Sequence, residues 1–191
     1  MKYHFIQEEI TYTGAELSPH WIYRNFGILG DSVVAFIGPT KVTQNDMVDL
    51  EDVLNDDFIY SKRMLNFIIE IFALPLQQGV LLQRLFSGII QDKLNQALES
   101  ANIKRRGDDL FYRETQKLSV SICTLSPTSI LIHTGLNIDA TGAPVEASGL
   151  SSELGMSDAK VIEAFATSCM RTFVEEWEDI KLSCCKVRAV I

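Results

Sequence analysis

At 191 residues, with 47% hydrophobic and 22% charged side chains, the chain has the composition of a packed globular unit, expected to form a single domain over residues 1–191. Its formal charge of −8 argues against binding nucleic acid, which needs a broad cationic surface. No signal-peptide pattern opens the chain, and no apolar run approaches the roughly 18 residues of a membrane span. The expected setting is therefore the cytoplasm, away from any membrane.

Lys2–Thr13 leans towards strand, with Tyr3, Phe5 and Ile10 to Tyr12, and closes at Gly14. Glu16–Asn25 carries Leu17, Trp21, Ile22 and Phe26 at rough helical spacing and stops at Gly27, with Pro19 in its first turn. Gly30-Asp31 introduces an apolar strand, Ser32–Ile37, bounded by Gly38-Pro39. Val42–Leu54 is acidic and irregular.

Two helices are expected next. Lys62–Phe72 is apolar almost all round, as a deeply buried helix would be. Gln77–Ser100 shows Val80, Leu81, Leu85, Ile89 and Leu94 on one stripe. After a polar connection at Arg105–Asp109, a meander follows: Phe111-Tyr112, Leu118–Leu125 and Ser129–Asp139, with Ser126-Pro127-Thr128 as a turn. A Gly-rich loop, Thr141–Gly155, leads to a last helix capped by Ser157, whose stripe is Ile162, Phe165, Ala166, Cys169, Phe173 and Trp177. Strands and helices mix without regular βαβ alternation, which makes the class α+β.

The four cysteines, Cys123, Cys169, Cys184 and Cys185, lack C-x-x-C or zinc-type spacing. Cys123 and Cys169 read as buried small hydrophobes. A reduced compartment fits this usage.

Chemistry concentrates between Arg106 and Asp139. Lys117 heads one apolar strand pattern, and the next ends in Gly135-Leu136-Asn137. A strand-borne ammonium facing a Gly–Asn turn is a place to hold an anion or to polarise a carbonyl as charge develops. Lys117 is the candidate catalytic group, with Asn137 and Gly135 as ligand contacts. His133 alternates with apolar neighbours and reads either as a satisfied core histidine or as a ligand-contacting base.

Asn66 and Glu70 share a face four residues apart. A carboxylate on so apolar an element sits at a rim or needs a cation such as Arg84 or Lys117. Arg84 itself either pairs with an acid or snorkels. Asp31, in FGILGDS, is a further candidate contact, although the two glycines of that segment follow a helix rather than a strand. Asp49 and Glu51, in MVDLEDV, fit a Mg²⁺ site of one or two carboxylates completed by phosphates, or a solvated acidic loop. No P-loop, dinucleotide fingerprint or G-x-S-x-G elbow occurs.

The blocks GDSVVAF (Gly30–Phe36), MVDLEDV (Met47–Val53), MLNFIIEIF (Met64–Phe72), LLQRL (Leu81–Leu85) and KLSVSICTLSPTSILIHTGLNI (Lys117–Ile138) together resemble the DUF366 family of prokaryotic proteins. The resemblance implies the fold shared by class II aminoacyl-tRNA synthetases and the biotin and lipoate protein ligases, a central and mostly antiparallel sheet flanked by helices. In those ligases a lysine opening a strand contacts the acyl-adenylate and a G-x-N turn closes the next strand. Lys117-Leu118-Ser119-Val120 and Gly135-Leu136-Asn137 resemble the two elements in order. Val120 stands where the ligase motif has glycine, and the Arg- and Gly-rich adenylate loop nearer the N-terminus is missing, unless Lys104-Arg105-Arg106-Gly107 substitutes from a different place.

The resemblance thus implies an ATP- and Mg²⁺-dependent ligase or transferase that activates a small carboxylic acid. The alternative is a non-catalytic binder of a small carboxylate or nucleotide on the same fold. A structural protein, acting as a homodimer, is the third reading.

Overall fold

A computed structural model describes every residue except 57, 99–101, 144 and 191. Its main sheet has five strands in the order β1-β2-β3-β8-β7: β1 Lys2–Phe5, β2 Ser32–Val42, β3 Ile59–Phe72, β7 Ser119–Leu125 and β8 Ser129–Asp139. Only β1 and β2 run parallel; the other neighbours are antiparallel. A second sheet joins β4 Ile103–Arg106, β5 Asp109–Tyr112 and β6 Gln116–Lys117. The helices are α1 Trp21–Phe26, α2 Leu50–Leu54, α3 Leu76–Ala97 and α4 Ala159–Cys185. The α+β class and the helix-flanked, mostly antiparallel sheet match the expectation.

The segment expected as a buried helix is the sheet's central strand. Lys62–Phe72 lies within β3, paired with β2 on one side and β8 on the other. An apolar run has no diagnostic period when both faces are covered, so its pattern alone cannot separate the two conformations. Ile68, Ile69 and Ile71 are β-branched and favour the pleated surface. Alternation then sorts the strand. Leu65, Phe67, Ile69 and Ile71 pack under α3 and α4, whereas Ile68 packs on the opposite face with Val34, Phe36 and Leu131.

On the helical face, Phe86 of α3 meets Phe67 of β3 and Phe173 of α4 edge-on, each with ring centroids 5.1 Å apart. Those contacts join strand and both helices in one core. The other face is only partly covered, by Ile6, Tyr12, Leu17 and Ile22.

Other boundaries shift for local reasons. β2 runs through Gly38-Pro39 to Val42, with a register shift between Gly38 and Thr40. A bulge tolerates a proline that cannot donate to the ladder. A Cβ on Gly38 would lie 1.9 Å from the Ile10 carbonyl oxygen, so no larger residue fits there. α1 starts at Trp21 rather than Glu16, because His20 takes the left-handed conformation (φ 62°). Arg105–Asp109, expected as a connection, is the end of β4 and the tight turn into β5. Asp158, not Ser157, caps α4 by accepting from the Lys160 N–H at 2.7 Å. The expected end of the long helix at Ser100 lies outside the described residues, and α3 itself spans Leu76–Ala97.

Candidate functional site

The uncovered part of the open sheet face forms a hollow of about 420 Å³. Its floor is built from alternate residues of neighbouring strands: Met64 of β3, Val120 and Ile122 of β7, and His133 and Asn137 of β8, with Tyr12 from the N-terminal segment. The pleat puts residues two apart on one face, which is why His133 and Asn137 share it while Ile132, Leu136 and Ile138 turn to the helices. The rim is α2 with its flanks (Asp46, Asp49, Glu51, Asp52) and the β5–β6 ribbon (Asp108, Asp109, Lys117).

Lys117 and Asn137 therefore line one hollow. The Lys117 backbone is clamped, its N–H donating to the Glu146 carbonyl at 2.9 Å and its carbonyl accepting from the Ser148 N–H at 3.0 Å. The Asn137 Nδ2 donates to that same carbonyl at 3.5 Å. The Lys117 ammonium pairs with Asp109 Oδ2 at 3.0 Å, and both side chains are about one-third exposed. Burial pushes the Asp109 carboxyl above its ordinary range, although the neighbouring Lys117 charge pulls it down.

Gly135-Leu136-Asn137 is not a turn but the interior of β8. Gly135 makes no contact through a side chain; its role is room. A Cβ there would lie 2.3 Å from Met64 Sδ and 3.2 Å from Val120 Cγ2, so the missing side chain is what seats Met64 on the floor.

His133 sits beneath a polar chain. Its Nε2 lies 3.0 Å from Asn66 Oδ1, which also accepts from the Thr40 hydroxyl at 3.3 Å, while Asn66 Nδ2 donates to the Met64 carbonyl at 3.3 Å. Tyr12 stacks on the imidazole, with centroids 3.8 Å apart and planes 12° from parallel. Burial holds the His133 pKa down to about 3 and pushes the Tyr12 phenol above its ordinary value. The imidazole is neutral at ordinary pH.

The remaining candidates lie elsewhere. Glu70 is six residues along β3 from the strand position facing Asn137, about 20 Å away. Its Oε1 accepts from the His20 N–H at 2.8 Å and the Ser129 hydroxyl at 2.7 Å, so its partners are neutral donors and not the cations anticipated for a buried acid. Asp31 is at the same end, accepting from the Phe72 N–H and Trp177 Nε1 at 3.0 and 3.3 Å. Arg84 lines a separate cleft between α3 and α4 with Asp92, Lys93, Arg105 and Glu176.

Asp49 and Glu51 do reach the rim, but Asp49 caps α2 by accepting from the Glu51 N–H at 2.8 Å. Among the described residues no group of three or more His, Cys, Asp or Glu side chains is placed to hold a metal ion. Cys123 is only partly buried, and all four cysteines are free. No helix among the described residues is long and apolar enough to cross a membrane.

Tyr12, Thr40 and Asp109 were not anticipated. Only chain folding brings Tyr12 to the site, so no local pattern marks it. Asp109 was legible only as part of a turn.

Comparison with known proteins agrees with the architecture. A protein of unknown function from Pyrococcus horikoshi superposes with a TM-score of 0.90 at 38% identity, covering 100% of both chains. The uncharacterized protein MJ0805 of Methanocaldococcus jannaschii is 38% identical over 162 residues, 81% of this chain and 71% of its own. The biotin protein ligase of Aquifex aeolicus, solved in complex with biotin and ATP, aligns with a TM-score of 0.59 at 12% identity over 94% of this chain and 72% of its own. Lipoate ligases align comparably. At such identities the likeness establishes the biotin and lipoate ligase fold alone. The DUF366 family model, described as a domain of unknown function, matches residues 1–188, and the chain belongs to that family.

Proposed function

We propose that this chain, working as one unit over residues 1–191, binds a small carboxylic acid with an apolar body in the hollow of its open sheet face. The supporting observation is that Lys117 supplies the one ammonium among the hollow's described lining residues, beside a floor of Met64, Val120, Ile122 and Tyr12. The acid's carboxylate takes the Lys117 charge from Asp109, whose own carboxyl is already pushed towards its neutral form by burial. Asn137 holds the strand that carries Lys117 through its carbonyl. The apolar body covers the floor and gains the usual transfer free energy of about 25 cal/mol per Å² buried.

A second reading, ATP-dependent activation of that acid, is favoured by the shared fold, since the Aquifex ligase binds ATP. The residues here do not fit a bare triphosphate: six carboxylates line the hollow (Asp46, Asp49, Glu51, Asp52, Asp108, Asp109) against one lysine. Like charges at this density repel phosphate unless divalent cations intervene.

A thermal-shift series with octanoate, lipoate and biotin, each with and without ATP–Mg²⁺, tests both readings. A ligand that binds only the native state raises the melting temperature with concentration. Stabilisation by an acid alone, lost in Lys117→Ala, is the expected result; acid-dependent pyrophosphate exchange would establish the second reading. No stabilisation by any acid defeats the first.

A further inference from the structure

The polar chain under the hollow fixes which imidazole nitrogen carries the proton. A backbone carbonyl can only accept, so the amide group of Asn66 that faces the Met64 carbonyl is its nitrogen. Its oxygen therefore faces His133 Nε2, and the Thr40 hydroxyl shares its one proton between that oxygen at 3.3 Å and Met64 Sδ at 3.1 Å. Nε2 is consequently the protonated nitrogen, and in a neutral ring Nδ1 is left as a bare lone pair. That atom has no hydrogen-bond partner among the described residues, and His133, though only 2% exposed, lines the hollow. Tyr12 holds the ring flat against its own, so the lone pair has a fixed direction.

We infer that His133 Nδ1 is a hydrogen-bond acceptor that selects ligands carrying an N–H or O–H donor at the end remote from their carboxylate. This rests on the acid-binding reading and narrows it. Burial keeps the ring neutral down to a pKa of about 3, so it does not become a donor at physiological pH. A ligand group that only accepts would meet the lone pair with its own and leave both unsatisfied. His133 and Asn137 are four residues apart on β8, about 13 Å between Cα atoms. The selected ligand is thus an extended acid with different chemistry at its two ends, not a short amino acid.

The test compares octanoate, 8-hydroxyoctanoate and 8-methoxyoctanoate by calorimetry on the full chain. The hydroxyl donates; the ether of nearly the same shape cannot. The hydroxy acid is expected to bind at least about tenfold tighter than the methoxy acid. His133→Phe keeps a ring for Tyr12 to stack on but removes the acceptor, so the two acids should bind it equally. The ¹⁵N resonance of Nδ1 in the wild-type protein should be that of an unprotonated nitrogen and should move when 8-hydroxyoctanoate is added, a readout that does not depend on the variant folding. Equal affinity of the wild type for all three acids overturns the inference and leaves acid binding standing. No binding of any of them overturns both, and so does binding unaffected by Lys117→Ala. A protonated or unmoved Nδ1 overturns the inference alone.

Discussion

The open face of the sheet carries two groups of buried polar side chains on the same strands, and they end differently. At one end Glu70 (2% exposed) is used up by the protein: its carboxylate accepts from the His20 N–H and the Ser129 hydroxyl, and the adjacent Asp31 ties Phe72 to Trp177. Only the Ser32 hydroxyl, opposite Glu70 in register, is buried there without a partner. At the other end Asn66 and His133 are as deeply buried, yet their network stops one atom short, at Nδ1 of a ring that lines the hollow. Burial of polarity is common to both ends; what differs is that the spare atom at the Glu70 end, Ser32 Oγ, is sealed in, whereas His133 lines the hollow. A closed set of bonds holds the chain together, whereas an open one beside a cavity is shaped for something from outside.

That contrast can be broken most forcefully at Glu70. Glu70→Ala leaves two donors, one of them holding the entry to α1, without an acceptor. A loss of about 3 kcal/mol in unfolding free energy is expected, with acid binding unchanged in the protein that remains folded. Glu70→Gln keeps an acceptor oxygen and should cost about 1 kcal/mol or less. Urea denaturation measures both, and altered ligand affinity in Glu70→Gln would place Glu70 in the site after all.

The next effect is on pH dependence. The folded His133 pKa of about 3 lies below the 6.5 of an unfolded imidazole. Between those values the unfolded state binds a proton that the native state refuses, so stability falls as pH falls. The slope is about 1.4 kcal/mol per pH unit, or about 2 kcal/mol between pH 6.5 and 5. The difference between wild type and His133→Phe isolates this contribution. Parallel stability curves over that range would show that the imidazole protonates as readily in the folded protein as in the unfolded one.

The α+β class was legible in the sequence, whereas the central strand was not, and the candidate residues divide between the hollow and other places. Lys117 and Asn137 stand out because a charged or amide side chain interrupts a strand-period apolar pattern, and the structure puts both at one hollow. α4 was readable because it has one clear period, and β7 and β8 because the turn residues Ser126-Pro127-Thr128 divide them into short runs. β3 was not, because packing on both faces erases the alternation that distinguishes a strand. That misreading leaves Asn66 and Glu70 on one face, since residues four apart share a side in either conformation. It hides their separation, about 6 Å along a helix but about 13 Å along a strand, and with it the split into two clusters. Tyr12 and Asp109 depend on contacts between distant segments, which no local pattern records.

Gly135 sharpens the comparison more mildly. Gly135→Ala drives a methyl group into Met64, whose thioether is flexible enough to yield. A cost of about 1 kcal/mol is expected, near the lower end for overpacking. The displaced Met64 should also shrink the floor, so affinity for an extended acid falls while the Glu70 end is untouched. Unchanged affinity with unchanged stability would mean that Met64 is not fixed in the hollow.

The smallest effect on stability belongs to the pair that matters most for binding. Lys117 and Asp109 are both partly exposed, so removing either should change unfolding free energy by less than about 1 kcal/mol. Their effects on ligand should be opposite in sign. Lys117→Ala removes the positive partner and is expected to weaken octanoate at least about tenfold, within the cost of losing a charge-assisted bond. Asp109→Asn removes the internal competitor and frees the ammonium, so octanoate should bind more tightly. The affinity advantage of Asp109→Asn over the wild type should shrink as pH is lowered, because protonation of Asp109 releases Lys117 in the wild type. If both substitutions weaken binding alike, the ion pair acts as one structural unit and the ligand's carboxylate is held elsewhere.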